Sequence, residues 1–425
     1  MKEDFLQYIW HIGDFNLNDL KTTAGETITL SKRGNLNTHS GPDFLQGEVI
    51  LDKTKWAGSI EIHTKSSEWY KHKHHQDKAY NKVILHVVYE EDKTCYREDG
   101  SPIPCLELIG RIAPSLLKPH RDLTQSLQAI PCKNTINKVS YLNVSKMLEK
   151  TCIERLEIRF LAIREELEKN KGDWQEAFYR SLLRSFGFKT NSEAFYQLAS
   201  QLPLKVLAKH KNYPLQIEAL LYGQAGMLHK SYKDLYPLEL FKEFSFLQKK
   251  YGLKPMELAR WRFMRMRPAN FPSIRISQIA NLIHKSEHLF SKILENKSAK
   301  DLFSYFEIEA GNYWKDHYKF DSPSENVTAK KLGKSGIENI VINTVVPFLF
   351  AYAKSKGNQA LQDQAISILL EINSEKNKIT KQWKELNIHS KNAYESQALI
   401  QLFNTYCLEK KCLRCGIDRE ILKKS

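Results

Sequence analysis

The chain predicts an α+β fold, with a mixed sheet and an α/β core at the N-terminus followed by a mostly α-helical body. Three observations carry this. Between residues 26 and 109, short apolar or alternating runs recur with Gly, Pro and Asn between them, the punctuation of strands. From about residue 141 the apolar spacing changes to three and four, the period of a helix. Charge divides in the same place: residues 1–120 carry 15 Lys/Arg against 17 Asp/Glu, and the rest of the 425 residues supplies the whole of the +15 net charge.

The elements follow in order. Asp4–Asp14, with Phe5, Tyr8, Ile9 and Trp10, predicts a short aromatic-rich helix. Strands are expected over Glu26–Leu30, Phe44–Leu51, Gly58–Lys65 and Lys82–Tyr89, with a weaker one over Leu106–Ile109. Gly34–Asn35, Gly41–Pro42 and Gly58 separate them, and the polar, His-rich Ser66–Asn81 has room for a short helix. Val144, Leu148, Cys152, Leu156, Phe160 and Ile163 open the helical part. Helices follow over Trp174–Phe186, Ser192–Leu202, Leu215–Leu228, Leu235–Lys249, Ile276–Leu294, Ile337–Lys354, Ala360–Leu370 and Tyr394–Cys407. The expected organisation is therefore a domain over 1–120, a linker over 121–140, and a basic helical domain over 141–425 that ends in a cysteine cluster.

Composition bounds the function. An apolar fraction of 42% and a charged fraction of 27% are those of a globular chain. No unbroken run of about 18 apolar residues occurs, so no membrane span is expected. The N-terminus, MKEDFLQYIW, has no apolar signal region. Seven cysteines, an odd number, argue for thiols, metal ligands or packing over a disulfide framework, and a cytoplasmic location is expected. The basic body suits an acidic polymer, so nucleic acid, DNA or RNA, is the expected partner. No Walker, Rossmann or G-x-S-x-G motif is present, which sets aside nucleotide hydrolysis and serine-hydrolase chemistry.

The chemistry concentrates between Ser40 and Tyr89. Side chains two apart on a strand share a face, so Glu61, His63 and Lys65 stand together while Ile60 and Ile62 point into the core. Gly41–Pro42–Asp43 leads into the neighbouring strand and can bring Asp43 beside Glu61. Two carboxylates sharing a site can hold Mg²⁺ or Mn²⁺, an ion that activates water and stabilises charge on a phosphoryl oxygen. A nearby Lys or His then orients the water or the developing charge.

Here the chain resembles the PD-(D/E)XK nuclease superfamily, in which an aspartate after proline begins one strand and Glu-x-Lys lies on the next. Pro42–Asp43 matches the first half; Glu61–Ile62–His63 matches the second with His63 in the lysine position. The resemblance spans about 80 residues and implies a nuclease-like core. It implies that Asp43 and Glu61 bind the metal with the Ile62 carbonyl, and that His63 or Lys65 takes the lysine role. A wider similarity, through SGPDF, GSIEIH, YNKVILHVVY, RPANFPSIRISQIA and the terminal C-x4-C-x2-C, is to an uncharacterised bacterial family of Bacteroidota type.

Three other clusters are candidates. His72 and His75, three apart in the cluster 71–75, are expected beside the site as nucleic-acid contacts; His74 reads as solvated and His86 as core. In the arginine-rich segment 260–275, Arg262, Arg265 and Arg275 are expected to grip phosphates. Cys407, Cys412 and Cys415 have metal-ligand spacing and need a fourth ligand, for which Cys132, Cys152 or a histidine would serve. Some nucleases of the same superfamily hold an iron–sulfur cluster with one distant cysteine and a terminal three. That similarity implies Cys132 as the fourth ligand of zinc or an iron–sulfur cluster.

The expectation is a metal-dependent nucleic-acid-processing protein, a phosphodiester hydrolase of PD-(D/E)XK type. The alternatives are a non-catalytic nucleic-acid-binding protein with a degenerate core, and a small-substrate enzyme using Glu61 and His63 as acid and base.

Overall fold

The structure, a computed structural model, describes residues 2–37, 39–113, 116, 122–123, 125–286, 288–296 and 298–423. The chain is α+β and falls into two compact units, 1–147 with 402–425, and 148–401. The segment 402–425, expected at the end of the helical body, therefore folds with the sheet. The expected linker 121–140 lies inside the first unit, and its residues 121 and 124 lie outside the described residues.

In the first unit, helix α1 (Glu3–Ile12) precedes six strands: β1 (Ile28–Lys32), β2 (Asn35–Leu36), β3 (Phe44–Leu51), β4 (Thr54–Lys65), β5 (Val83–Glu90) and β6 (Cys105–Glu107). The main path is β1-β3-β4-β5-β6, with β2 also paired to β3. β1, β2 and β4 pair antiparallel to β3, whereas β4, β5 and β6 run parallel, so the sheet is mixed. The change of direction follows from connection length: β3 and β4 meet through a tight turn, whereas the 17 residues between β4 and β5 return the chain to a parallel start.

β4 is buried on both faces. Ile60 and Ile62 fill one side and Glu61 and His63 the other, all at 4% exposure or less. The polar face is covered by α1 and by the connection after β4, which holds helix α2 (Glu68–Lys71) and a 3₁₀ turn, His74–Gln76. Gly58 permits the close approach of β4 and β5: a Cβ there would lie 2.4 Å from the Lys82 carbonyl oxygen. Trp69 is fully buried, as a packing tryptophan should be, but Trp56 is 44% exposed.

The second unit is helical. Trp174–Phe186 coincides with its expected limits, and the expected Ile276–Leu294 divides into Pro272–Lys285 and Leu289–Glu295. The stretch Lys334–Ser355 is long and apolar enough to cross a membrane by length and composition, and 78% of its most apolar window is buried within the protein. Five of its residues, Val341–Val345, form a π-helical turn.

Candidate metal centre

Asp43 and Glu61 meet. The Asp43 main-chain N–H donates to Glu61 Oε2 at 3.0 Å, and the Ile62 N–H donates to Asp43 Oδ2 at 3.1 Å. Local backbone makes this possible. The pairing of β3 with β4 slips between Phe44 and Gly47, where Gln46 is left-handed at φ 60°, a bulge that re-aims the start of β3. Gln7 on α1 donates to the other oxygen of Asp43 at 2.9 Å, and Glu3 stands on the same helix.

The electrostatics are those of crowded acids partly withdrawn from water. Burial, then the Glu61 charge, pushes Asp43 up to about 7. Burial pushes Glu61 up to about 8, only partly offset by the Asp43 N–H. Glu3 rises to about 7, from burial first and then from Asp43 and Glu61. It is an acid of this site that sequence reasoning missed, since nothing local ties residue 3 to residues 43 and 61.

Histidines surround the carboxylates. His63 Nδ1 lies 2.8 Å from His86 Nε2, and His63 Nε2 lies 3.2 Å from His72 Nδ1. His74 Nε2 is 3.3 Å and His63 Nε2 is 3.7 Å from Glu61 Oε1. Among the described residues, His63, His72 and His74 bring their ligand atoms within 4.8 Å of one another. Burial, followed by the neighbouring imidazoles, drives His63 down to about 2, and burial takes His86 down to about 3. Both are neutral at physiological pH. His63 therefore offers a lone pair, not the positive charge of the lysine whose position it occupies.

Of the expected residues, Asp43, Glu61, His63 and His72 come together. Lys65 does not join them: it is exposed at the end of β4, 3.4 Å from Glu90. His75 turns away and packs beside Tyr70, with ring centroids 5.0 Å apart. His74, expected in solvent, enters instead, stacked on Tyr80 at 3.8 Å. His86, expected in the core, is buried there and reaches the site through His63. The signal for His74 was the H-x-H spacing with His72; the turn between them, with Lys73 at φ 61°, was not legible.

The arginines separate. Arg262 and Arg265 are exposed. Arg275 is 5% exposed, and its guanidinium donates to Gln278 at 2.7 Å and Asn270 at 2.6 Å, with Phe188 beneath it. It is a core residue, closed to phosphate. Arginine the sequence did not single out lines a cleft of about 770 Å³ in the second unit: Arg155, Arg159 and Arg184, with Lys189 and Asn343. The π-helical turn supplies Asn343, whose Oδ1 accepts from Arg155 at 3.4 Å. Burial, then Arg159, lowers Arg155 to about 10, and burial, then Arg184, lowers Arg159.

Cys132, Cys407, Cys412 and Cys415 are all buried, and none of the seven cysteines forms a disulfide. Burial pushes the Cys132 thiol far up, followed by Asp418 and the other three cysteines. Asp418 is buried among them and raised to about 6 by burial, which the nearby Cys412 and Cys132 thiols partly offset. Cys152, weighed as another fourth ligand, lies in the other unit.

Over residues 3–378 the chain matches a family described as protein of unknown function (DUF2851), and it belongs to that family. Neither a curated protein nor a solved structure matches it.

Proposed function

We propose that this DUF2851 protein is a metal-dependent phosphodiester hydrolase acting on nucleic acid, with its reaction centre at Asp43 and Glu61. The observation that carries this reading is the meeting of Asp43, just before β3, with Glu61 within β4: the Asp43 N–H donates to Glu61 and the Ile62 N–H to Asp43, and burial holds both carboxyl groups near neutral pKa. Three acids crowded together, Glu61 buried and Glu3 and Asp43 partly so, are costly as anions unless a cation joins them, and oxygen donors of this kind suit Mg²⁺ or Mn²⁺. Asp43 and Glu61 would hold the ion, which when bound supplies stabilisation of phosphoryl charge and an activated water. Gln7 orients Asp43 by its hydrogen bond, and Glu3 adds negative charge beside the pair.

The basic cleft in the helical unit supports a polyanionic substrate. Arg155 and Arg159 form no ion pair among the described residues, and guanidinium groups so placed suit phosphate. The four buried thiols support a second metal, zinc or an iron–sulfur cluster, that would tie 402–425 to Cys132. Thiols without disulfides also suit a reducing, cytoplasmic setting.

The test is cleavage of single- and double-stranded DNA and RNA with Mg²⁺ or Mn²⁺, wild type beside Glu61→Ala. Metal-dependent cleavage that disappears in the variant supports the reading. Salt-sensitive binding without cleavage leaves a nucleic-acid-binding protein, and neither activity removes nucleic acid as the substrate.

A further inference from the structure

The carboxylate pair accounts for Asp43 and Glu61 but not for the three imidazoles that converge on them. We propose that His63, His72 and His74 form a site for a transition-metal dication of the zinc class, with Glu61 Oε1 beside it. The proposal stands whether or not the protein cleaves phosphodiesters.

The distances carry it. Four ligands at about 2.0–2.1 Å from a tetrahedral zinc ion stand about 3.4 Å apart. His63 Nε2 to His72 Nδ1 is 3.2 Å, His74 Nε2 to Glu61 Oε1 is 3.3 Å, and His63 Nε2 to Glu61 Oε1 is 3.7 Å. The three histidine ligand atoms all lie within 4.8 Å of one another. Three imidazole donors thus share one small volume, with a Glu61 oxygen close to two of them.

The surroundings orient the donors, as outer partners do around metal ligands. His63 Nδ1 is committed to His86 Nε2 at 2.8 Å, so Nε2 is the atom that faces the site. Glu61 Oε2 accepts the Asp43 N–H, which leaves Oε1. The His74 ring is held against Tyr80 and edge-on to Trp69, at 3.8 and 5.3 Å between centroids. His72, at the end of α2, is exposed and marks the solvent side. The donor set also chooses the ion: imidazole nitrogen suits zinc, cobalt and their neighbours, whereas Mg²⁺ wants six oxygens at octahedral positions.

The experiment uses the full chain, stripped with a chelator, loaded with Zn²⁺ or Mg²⁺, desalted and assayed for bound metal. Wild type is compared with His72→Ala/His74→Ala, both positions at least partly exposed, and folding is checked by circular dichroism. Should the double variant fail to fold, His72→Ala alone replaces it. The expected result is the loss of one zinc equivalent per chain. Titration with Co²⁺ should lose a visible four-coordinate band while any near-ultraviolet thiolate band, from the cysteines, stays. Unchanged zinc content and Co²⁺ spectrum in the variant, or preference for Mg²⁺ over Zn²⁺, would overturn the proposal. Zinc lost as expected, with no nuclease activity in the wild type, would leave this site standing and remove the phosphodiesterase.

Discussion

Asp43 and Glu61 are joined through the main chain and not side chain to side chain: the Asp43 N–H donates to Glu61 Oε2 at 3.0 Å. The bond fixes one Glu61 oxygen and leaves the other, Oε1, to His63 and His74. The bond holds Glu61 in place, while burial, against the lowering effect of that bond, raises both carboxyl groups above their ordinary range.

The stability of the metal-free protein should therefore fall as pH rises. Asp43 and Glu61 have folded pKa values near 7 and 8, above their ordinary 3.8 and 4.5. Between about pH 4 and 8 the folded state binds more protons than the unfolded one, and each carboxyl then contributes a slope of at most about 1.4 kcal/mol per pH unit. Stability present at the acid end of this window is lost toward its alkaline end. Urea midpoints in chelator should drop between about pH 5 and about pH 8, less steeply in Glu61→Gln. A midpoint that rises over that interval, with wild type and variant parallel, contradicts this.

Gly58→Ala should destabilise the sheet. The new methyl would meet the Lys82 oxygen at 2.4 Å and Ile84 Cγ2 at 2.5 Å, where β4 meets the start of β5. Overpacking of this kind costs about 1–3 kcal/mol. Chemical denaturation measures it, and a wild-type midpoint would show that the strands part freely.

The arginines should divide by role. Arg159→Glu should weaken binding to a single-stranded oligonucleotide and reduce its salt dependence, because it reverses a charge in the cleft. Arg275→Met should lower stability by about 1–3 kcal/mol with binding unchanged, since the Asn270 and Gln278 side chains lose their donor. Equal binding by all three proteins, read by fluorescence anisotropy, would remove the cleft from the account.

Cys412→Ser should release whatever metal the four thiols hold. Anaerobic purification followed by metal and sulfide analysis separates zinc from an iron–sulfur cluster. In the variant, limited proteolysis should attack 402–425 sooner than in wild type. Equal metal content and equal digestion would reduce the cluster to packing.

Much of this was legible before folding. The span of β3 was readable from its punctuation, and the parity that puts Glu61 and His63 on one face follows from the pleat of any strand. The histidine set was only half legible. His72 and His74 converge because Lys73 adopts a left-handed turn, φ 61°, that a non-glycine residue does not advertise. Glu3 and Asp418 were invisible for another reason. An acid acquires its raised pKa from neighbours far away in the chain, and no spacing rule reaches them.

By itself, then, the sequence determined the α+β order, the alternation along β4, the helical periods and the pairing of a near-neutral sheet with a basic body. These depend on backbone geometry and on residues a few positions apart. Only the tertiary structure decided that Arg275 is core while Arg155 and Arg159 line a cleft, that the terminal cysteines return to Cys132, and that His74 replaces His75. Those outcomes depend on where connections carry the chain and on how far burial removes each charged group from water.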